Sequence, residues 1–291
     1  MPFFTDQLHR TIFLESTPRR IVSLVPSQTE LLATLGLDPV GITKFCIHPD
    51  SWFRTKPRVG GTKDIHAERI DALQPDLLLA NKEENDRLQI EALAARYPVW
   101  VSDVSTLPSA LDMIRSVGTL TGREQPAMDL AAEIDSRFAG LAAKFVHRFT
   151  SLDPNISRSP VVPPLSAFLP APIPACPRTA YLIWRNPWMA AGGDTFIHDM
   201  LRRCGLINVF AEHTRYPSFE LSALADKDCE LVLLSSEPYP FREKHFSEIS
   251  SALPNADIRL VDGELFSWYG SRLLQSPDYF NKMFFPSPSP R

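Results

Sequence analysis

Short apolar runs ending in turn residues alternate with helical segments along most of this 291-residue chain, and one long helical run splits the alternation in two. In the first half "RIVSLVP", "PVGITKF", "PDLLLAN" and "PVWVSDV" read as strands. Between and after them, "AERIDALQ", "EENDRLQIEALAARY" and "LPSALDMIRSVGTLTG" read as helices. Ser27-Gln28-Thr29-Glu30 has the spacing of a capping box, which predicts a helix opening there and ending near Gly36. Strand-helix alternation of this kind builds a mainly parallel sheet covered by helices.

From Arg123 to about His147, Met128, Leu130, Ile134, Phe138, Leu141 and Phe145 recur at helical intervals, predicting a long helix. Eight prolines then fall between Asp153 and Pro177, a density compatible with neither helix nor central strand. Beyond them the alternation resumes. "TAYLIW", "CELVLLS" and "IRLVD" read as strands, while "TFIHDMLRRC" capped by Asp194, "REKHFSEISSAL" and "YGSRLLQSPDYF" read as helices. The expected organisation is an N-terminal α/β lobe over 19–122, a connecting helix over 123–147, a proline-rich insertion over 148–178 and a C-terminal α/β lobe over 179–283. The fold class is thus α/β, two Rossmann-like lobes with parallel sheets joined by a single long helix, with a ligand cleft between them. A faint repeat relates the lobes: laying Asp76 on Glu230 also lays Ile70 on Leu224, Glu68 on Ser222 and Thr62 on Tyr216.

Thirty basic and 34 acidic residues are interspersed without a basic cluster, which argues against a nucleic-acid partner. The cysteines Cys46, Cys176, Cys204 and Cys229 are too widely spaced for a zinc ribbon and read as unpaired, mostly buried thiols. No G-x-S-x-G, H-E-x-x-H, P-loop or G-x-G-x-x-G stands where chemistry would need it, so the reading is of a binder and not an enzyme. The N-terminus lacks an apolar stretch of signal length, which predicts a cytoplasmic chain as written and a periplasmic one if a leader was removed.

Aromatic residues concentrate in the loops that follow strands, the edge where open α/β sheets bind ligands. Phe45 ends the second strand, and His48, Trp52 and Phe53 follow it; Trp184 and Trp188 follow "TAYLIW"; Tyr216 precedes a short helix; Tyr239 follows "LVLLS"; and Phe266 and Trp268 follow "IRLVD". Rings with a few polar groups suit a large, flat, partly apolar ligand. Cys46 and His48 stand two apart, so an extended segment would send both side chains to one side, and His48 could reach an open axial position on a chelated metal.

"RIVSLVPSQTELLATLGLDPVGIT", "RVGGTKDIHAERIDALQPDLLLA" and "VDGELFSWYGSRLL" resemble the cobalamin-binding branch of the helical backbone metal receptors. These are ABC-importer substrate-binding proteins for cobalamin, haem and iron-siderophore complexes. The likeness covers roughly 19–147 and 178–281. It implies a monomer with no intrinsic cofactor, whose ligand is cobalamin or another corrinoid first, haem or a ferric siderophore next. It implies Thr62 and Tyr216 at positions where the cobalamin binder has tryptophans; Tyr216 keeps a ring and Thr62 does not. It also implies that Glu68 docks on the membrane subunits of an importer, while Ser222 holds the matching place in the second lobe. The alternative is a cytoplasmic tetrapyrrole-handling protein or chelatase-like enzyme, with His48 and Glu264 or Glu237 converging on a macrocycle.

Overall fold

The computed structural model describes residues 3–150 and 176–285, and these divide into two compact units. The first is Met1–Asp135 with Trp268–Leu274; the second is Ser136–Ser267 with Gln275–Arg291. The chain passes from the first to the second within one helix, as the sequence predicts, and it also returns to the first for the seven residues Trp268–Leu274. That return was not visible in the expected 179–283 lobe, because what holds the segment is contact with residues remote in sequence.

The first unit opens with an antiparallel hairpin, β1 (Phe3–Thr5) and β2 (Thr11–Phe13), that the alternation did not predict. Its sheet is built from β3 (Ile21–Ser23), β4 (Gly41–Ile42), β5 (Leu77–Asn81) and β6 (Val99–Ser102), in the order β4-β3-β5-β6 and parallel throughout. Every residue of β3, β5 and β6 is buried, as befits parallel strands covered on both faces. Helices α1 (Pro26–Thr34), α2 (Asp50–Thr55), α3 (Ala67–Leu73), α4 (Arg87–Ala94) and α5 (Leu107–Leu120) follow in chain order. The capping box at Ser27 does not form: α1 starts one residue earlier at Pro26, its cap Val25 offers no side chain, and Glu30 turns instead to Arg272. Proline at the first helical position already removes one of the unpaired N–H groups that a cap would satisfy.

The long helix α6 (Glu124–Thr150) buries Ala127, Leu130, Ala131, Ile134, Phe138 and Leu141. Met128 lies one step off this stripe and is exposed, correcting its assignment to the apolar face. Most of the proline-rich insertion expected over 148–178, residues 151–175, lies outside the described residues.

In the second unit β7 (Arg178–Trp184), β8 (Trp188–Ala190), β9 (Ile207–Asn208), β10 (Ser218–Phe219), β11 (Leu231–Ser235) and β12 (Asp257–Val261) form one sheet. Its path is β10-β8-β7-β11-β12, with β9 also on β7; β7, β11, β12 and β9 are parallel, whereas β8 pairs antiparallel with both β7 and β10. The helices are α7 (Phe196–Arg203), α8 (Ser222–Asp226), α9 (Phe246–Ala252), α10 (Glu264–Ser267) and α11 (Ser276–Phe284). Thr195, not Asp194, caps α7: its hydroxyl accepts the His198 N–H, while the Asp194 carboxylate accepts from Arg215 N–H at 2.5 Å.

The repeat in sequence is a repeat in structure. Asp76 donates its N–H to Arg20 O and its carboxylate accepts the Arg20 N–H; Glu230 does both toward Arg178. The Arg20 and Arg178 guanidinium groups then clamp the carbonyls of Leu73 and Lys227, at the ends of α3 and α8. Ile70 and Leu224 lie fully buried at the matching places.

Candidate functional site

In the first unit the loop after β4 is pinned from below. The Cys46 thiol is buried, receives a hydrogen bond from Thr29 Oγ1 at 3.0 Å and lies 3.2 Å from Thr43 Oγ1. Burial pushes this thiol above its ordinary range despite those hydroxyls. With Cys46 turned inward, Phe45 is left 51% exposed. His48 is half-buried. Exposed Ile47 stands between Cys46 and His48, and residues 46–48 belong to neither a strand nor a helix.

The His48 ring meets Trp268 edge-on, with centroids 5.5 Å apart, and the Arg272 guanidinium lies 5.0 Å from the Trp268 ring. Trp268 is therefore held between two neighbours and is largely buried. The next residue, Tyr269, is buried and donates its hydroxyl to the Glu84 carboxylate at 2.8 Å, and burial first, then Glu84, pushes this phenol well up. At Gly270 a Cβ would stand 2.4 Å from Ser27 O, so only glycine lets this segment lie against α1. Trp52 and Thr62 are half-buried. Asn85 fixes the loop at Thr62 by donating to its carbonyl at 3.0 Å and to Leu24 O at 3.2 Å.

The second unit carries its own aromatic edge. Trp184, at the end of β7, is 40% exposed and packs T-shaped on Tyr239, 5.7 Å away. Tyr239 in turn touches Phe241 and buried His245, whose Nε2 is 3.3 Å from the Tyr239 hydroxyl. Trp188 belongs elsewhere. It opens β8, is 7% exposed and stacks on Phe241 with an 8° interplanar angle, inside the unit's hydrophobic core. Phe266 is likewise interior, packed against Tyr181 and Phe280. Tyr216 is half-buried on a loop held by the Gly192 and Gly193 N–H groups, which donate to Arg215 O and His213 O. A Cβ on Gly193 would fall 1.9 Å from Ala211 O, which is why this pair must be glycine.

The sequence-predicted residues thus sort into two sets. Phe45, His48, Trp52, Thr62 and Trp268 belong to the first unit, and Trp184, Tyr216 and Tyr239 to the second, with Trp188 and Phe266 in the second unit's core. Exposed Phe53, on α2 beside Trp52, and exposed Ile47 extend the first set; Ile47 was not singled out from sequence, its apolar character beside Phe45 being the available signal. Glu237 accepts from Ser267 Oγ at 2.7 Å. Among the described residues no group of three or more His, Cys, Asp or Glu side chains is placed to hold a metal ion, and no helix is long and apolar enough to cross a membrane.

Residues 21–146 match the family described as periplasmic binding protein. The vitamin B12-binding protein of Salmonella typhimurium is 25% identical over 203 residues, 69% of this chain and 65% of its own length, so the chain spans just under two thirds of that relative. Among solved structures, a periplasmic heme binding protein from Pseudomonas aeruginosa has a TM-score of 0.73 at 21% identity, covering 94% of this chain and 95% of the other. The periplasmic vitamin B12 binding protein of Vibrio cholerae has a TM-score of 0.71 at 18% identity, covering 92% of this chain and 97% of its own. The family match is confined to residues 21–146, and beyond it the chain shares the fold of these periplasmic binding proteins.

Proposed function

We propose that the chain is the substrate-binding component of an ABC importer, working in the periplasm and capturing a metal chelate on its aromatic loop edges. A corrinoid such as cobalamin is the first choice, and haem or a ferric siderophore the next. One observation carries the reading: large rings stay exposed at strand ends in both units, Phe45 in the first and Trp184 in the second, where burying them inside would have been favourable. The relatives' names support it, since they are called vitamin B12-binding and heme binding proteins. In this reading the chelate brings its own metal, and His48 offers an imidazole to an open axial position. Thr62, Tyr216, Tyr239, Trp52 and Trp268 complete or support the contacts. Glu68, exposed on α3, is the proposed contact with the importer's membrane subunits.

The test is a titration of the purified protein with cyanocobalamin, haemin and a ferric siderophore, following the fluorescence of its five tryptophans. Saturable quenching by one of the three is the expected result. Absence of saturation with all three would overturn the reading.

A further inference from the structure

Resting on the chelate-binding reading and narrowing it, we infer that Lys44 recognises a carboxylate or phosphate on the ligand's periphery, so that the protein selects an anionic chelate over a neutral one of the same shape. Four cations lie over the site rings of the first unit: Lys44 over Phe45 at 5.2 Å, Lys56 over Trp52 at 5.7 Å, Arg58 over Phe53 at 4.6 Å and Arg272 over Trp268 at 5.0 Å. Three of them have other partners. Lys56 pairs with Asp38, Arg58 donates to the carbonyls of Trp52 and Lys56, and Arg272 holds Glu30. Lys63, next to Thr62, is taken up by the carbonyls of Glu83 and Asn85. Lys44 alone of these has no carboxylate within ion-pairing distance among the described residues.

An exposed lysine is ordinary in itself. This one is positioned. Its N–H donates to Gly60 O at 2.8 Å, its ammonium rides on the exposed Phe45 ring, and its stem crosses Gly61. A Cβ on Gly61 would stand 3.2 Å from Lys44 Cε and 3.3 Å from Phe45 Cε2, so the bare glycine makes the room that lysine and ring occupy. The ammonium lies over Gly61, 3.7 Å from where a Cβ would stand, one residue ahead of Thr62 in the chain. A flat ligand that covers Phe45 must also strip water from this charge. Desolvating an ammonium without a counter-charge is unfavourable, so a neutral ligand binds against that penalty and an anionic one replaces the lost water with a charge-assisted hydrogen bond. Screening adds a second signature: the preference weakens as salt rises.

Two probe pairs test this, each differing only in charge: haemin against its dimethyl ester, and cyanocobalamin with one peripheral amide hydrolysed to the acid against cyanocobalamin itself. Affinities are measured for wild type, Lys44→Arg, Lys44→Met and Lys44→Glu at low and high salt. In whichever pair binds, wild type is expected to favour the acid by about tenfold at low salt. Lys44→Arg keeps that preference and shows the loop intact, Lys44→Met loses it, and Lys44→Glu reverses it. A preference unchanged in Lys44→Met, or no preference in a wild type that binds, overturns the role of Lys44 and leaves chelate binding standing. A wild type that binds neither pair and no ferric siderophore overturns both.

Discussion

Arg272 lays two guanidinium nitrogens on the Glu30 carboxylate, at 2.9 and 2.6 Å, across 242 residues of chain. Their side chains are only 12% and 18% exposed, so the pair is poorly screened and each charge depends on the other. Removing one partner strands the other in a low-dielectric site. Arg272→Ala is expected to lower the unfolding free energy by about 2–4 kcal/mol, and Glu30→Gln by a similar amount. Urea denaturation of the two single variants and the double variant checks this, with the double expected to cost clearly less than the sum. Losses below about 0.5 kcal/mol would mean that the pair behaves as an ordinary surface contact.

Trp184 and Trp188, four residues apart, are predicted to fail in opposite ways. Trp188 is packed on Phe241 in the core, so Trp188→Ala should cost about 3–5 kcal/mol of stability through the cavity it leaves. Trp184 is 40% exposed, so Trp184→Ala should leave the thermal midpoint nearly unchanged. On the proposed function it should weaken chelate affinity about tenfold. Thermal melts and fluorescence titrations of the two variants separate these outcomes. A stability loss in Trp184→Ala matching that of Trp188→Ala would remove Trp184 from the ligand face.

The strands and helices were legible because burial on both faces leaves continuous apolar runs such as residues 77–80, and because α6 carries its stripe at helical spacing. The repeat was legible through Asp76 and Glu230, since the same clamp needs a carboxylate in the same place. Short strands were not: β8, β9 and β10 are two or three residues long and carry no period. Nor was the return of Trp268–Leu274 to the first unit, because Glu30, Ser27 and Glu84, which hold it, give no local sign of that partnership. The placement of Trp188 and Phe266 failed for a related reason. A ring near a strand end packs inward or faces out according to neighbours that only the fold brings together.

Alkali should unfold the protein through groups that burial keeps protonated. Burial pushes the Cys229 thiol up to about 11 and the Tyr181 and Tyr269 phenols well above their ordinary range. In the unfolded chain the same groups ionise near about pH 8.5 for cysteine and about pH 10 for tyrosine. Above those values the unfolded state holds fewer protons than the folded one, so stability is full below about pH 8.5 and falls as pH rises toward 11. The Cys229 thiol alone should contribute a loss of about 2–3 kcal/mol by the top of that window. Urea midpoints measured across the range should fall steadily. Tyrosinate absorbance from Tyr181 and Tyr269 should appear together with unfolding; its appearance while the protein is still folded would contradict their burial.

The two lobes are unequal where the proposed importer contact lies. Glu68 is exposed in the first turn of α3, with only the His66 ring 3.3 Å away, whereas the matching place at the start of α8 holds Ser222. Glu220 is the nearest acidic residue, exposed one residue beyond the end of β10 and ahead of the helix, so its charge starts from a different part of the surface. Exposed ion pairs contribute about 0–1 kcal/mol each, so an acidic docking face depends on the number of charges it presents. Against the cognate membrane subunits in nanodiscs, Glu68→Ala is expected to weaken binding up to about fivefold and Ser222→Glu to strengthen it by a comparable factor. Glu220→Ala tells whether that neighbour already serves: a loss equal to that of Glu68→Ala, with no gain from Ser222→Glu, would show that the second lobe docks through Glu220 and that the asymmetry is only one of sequence position.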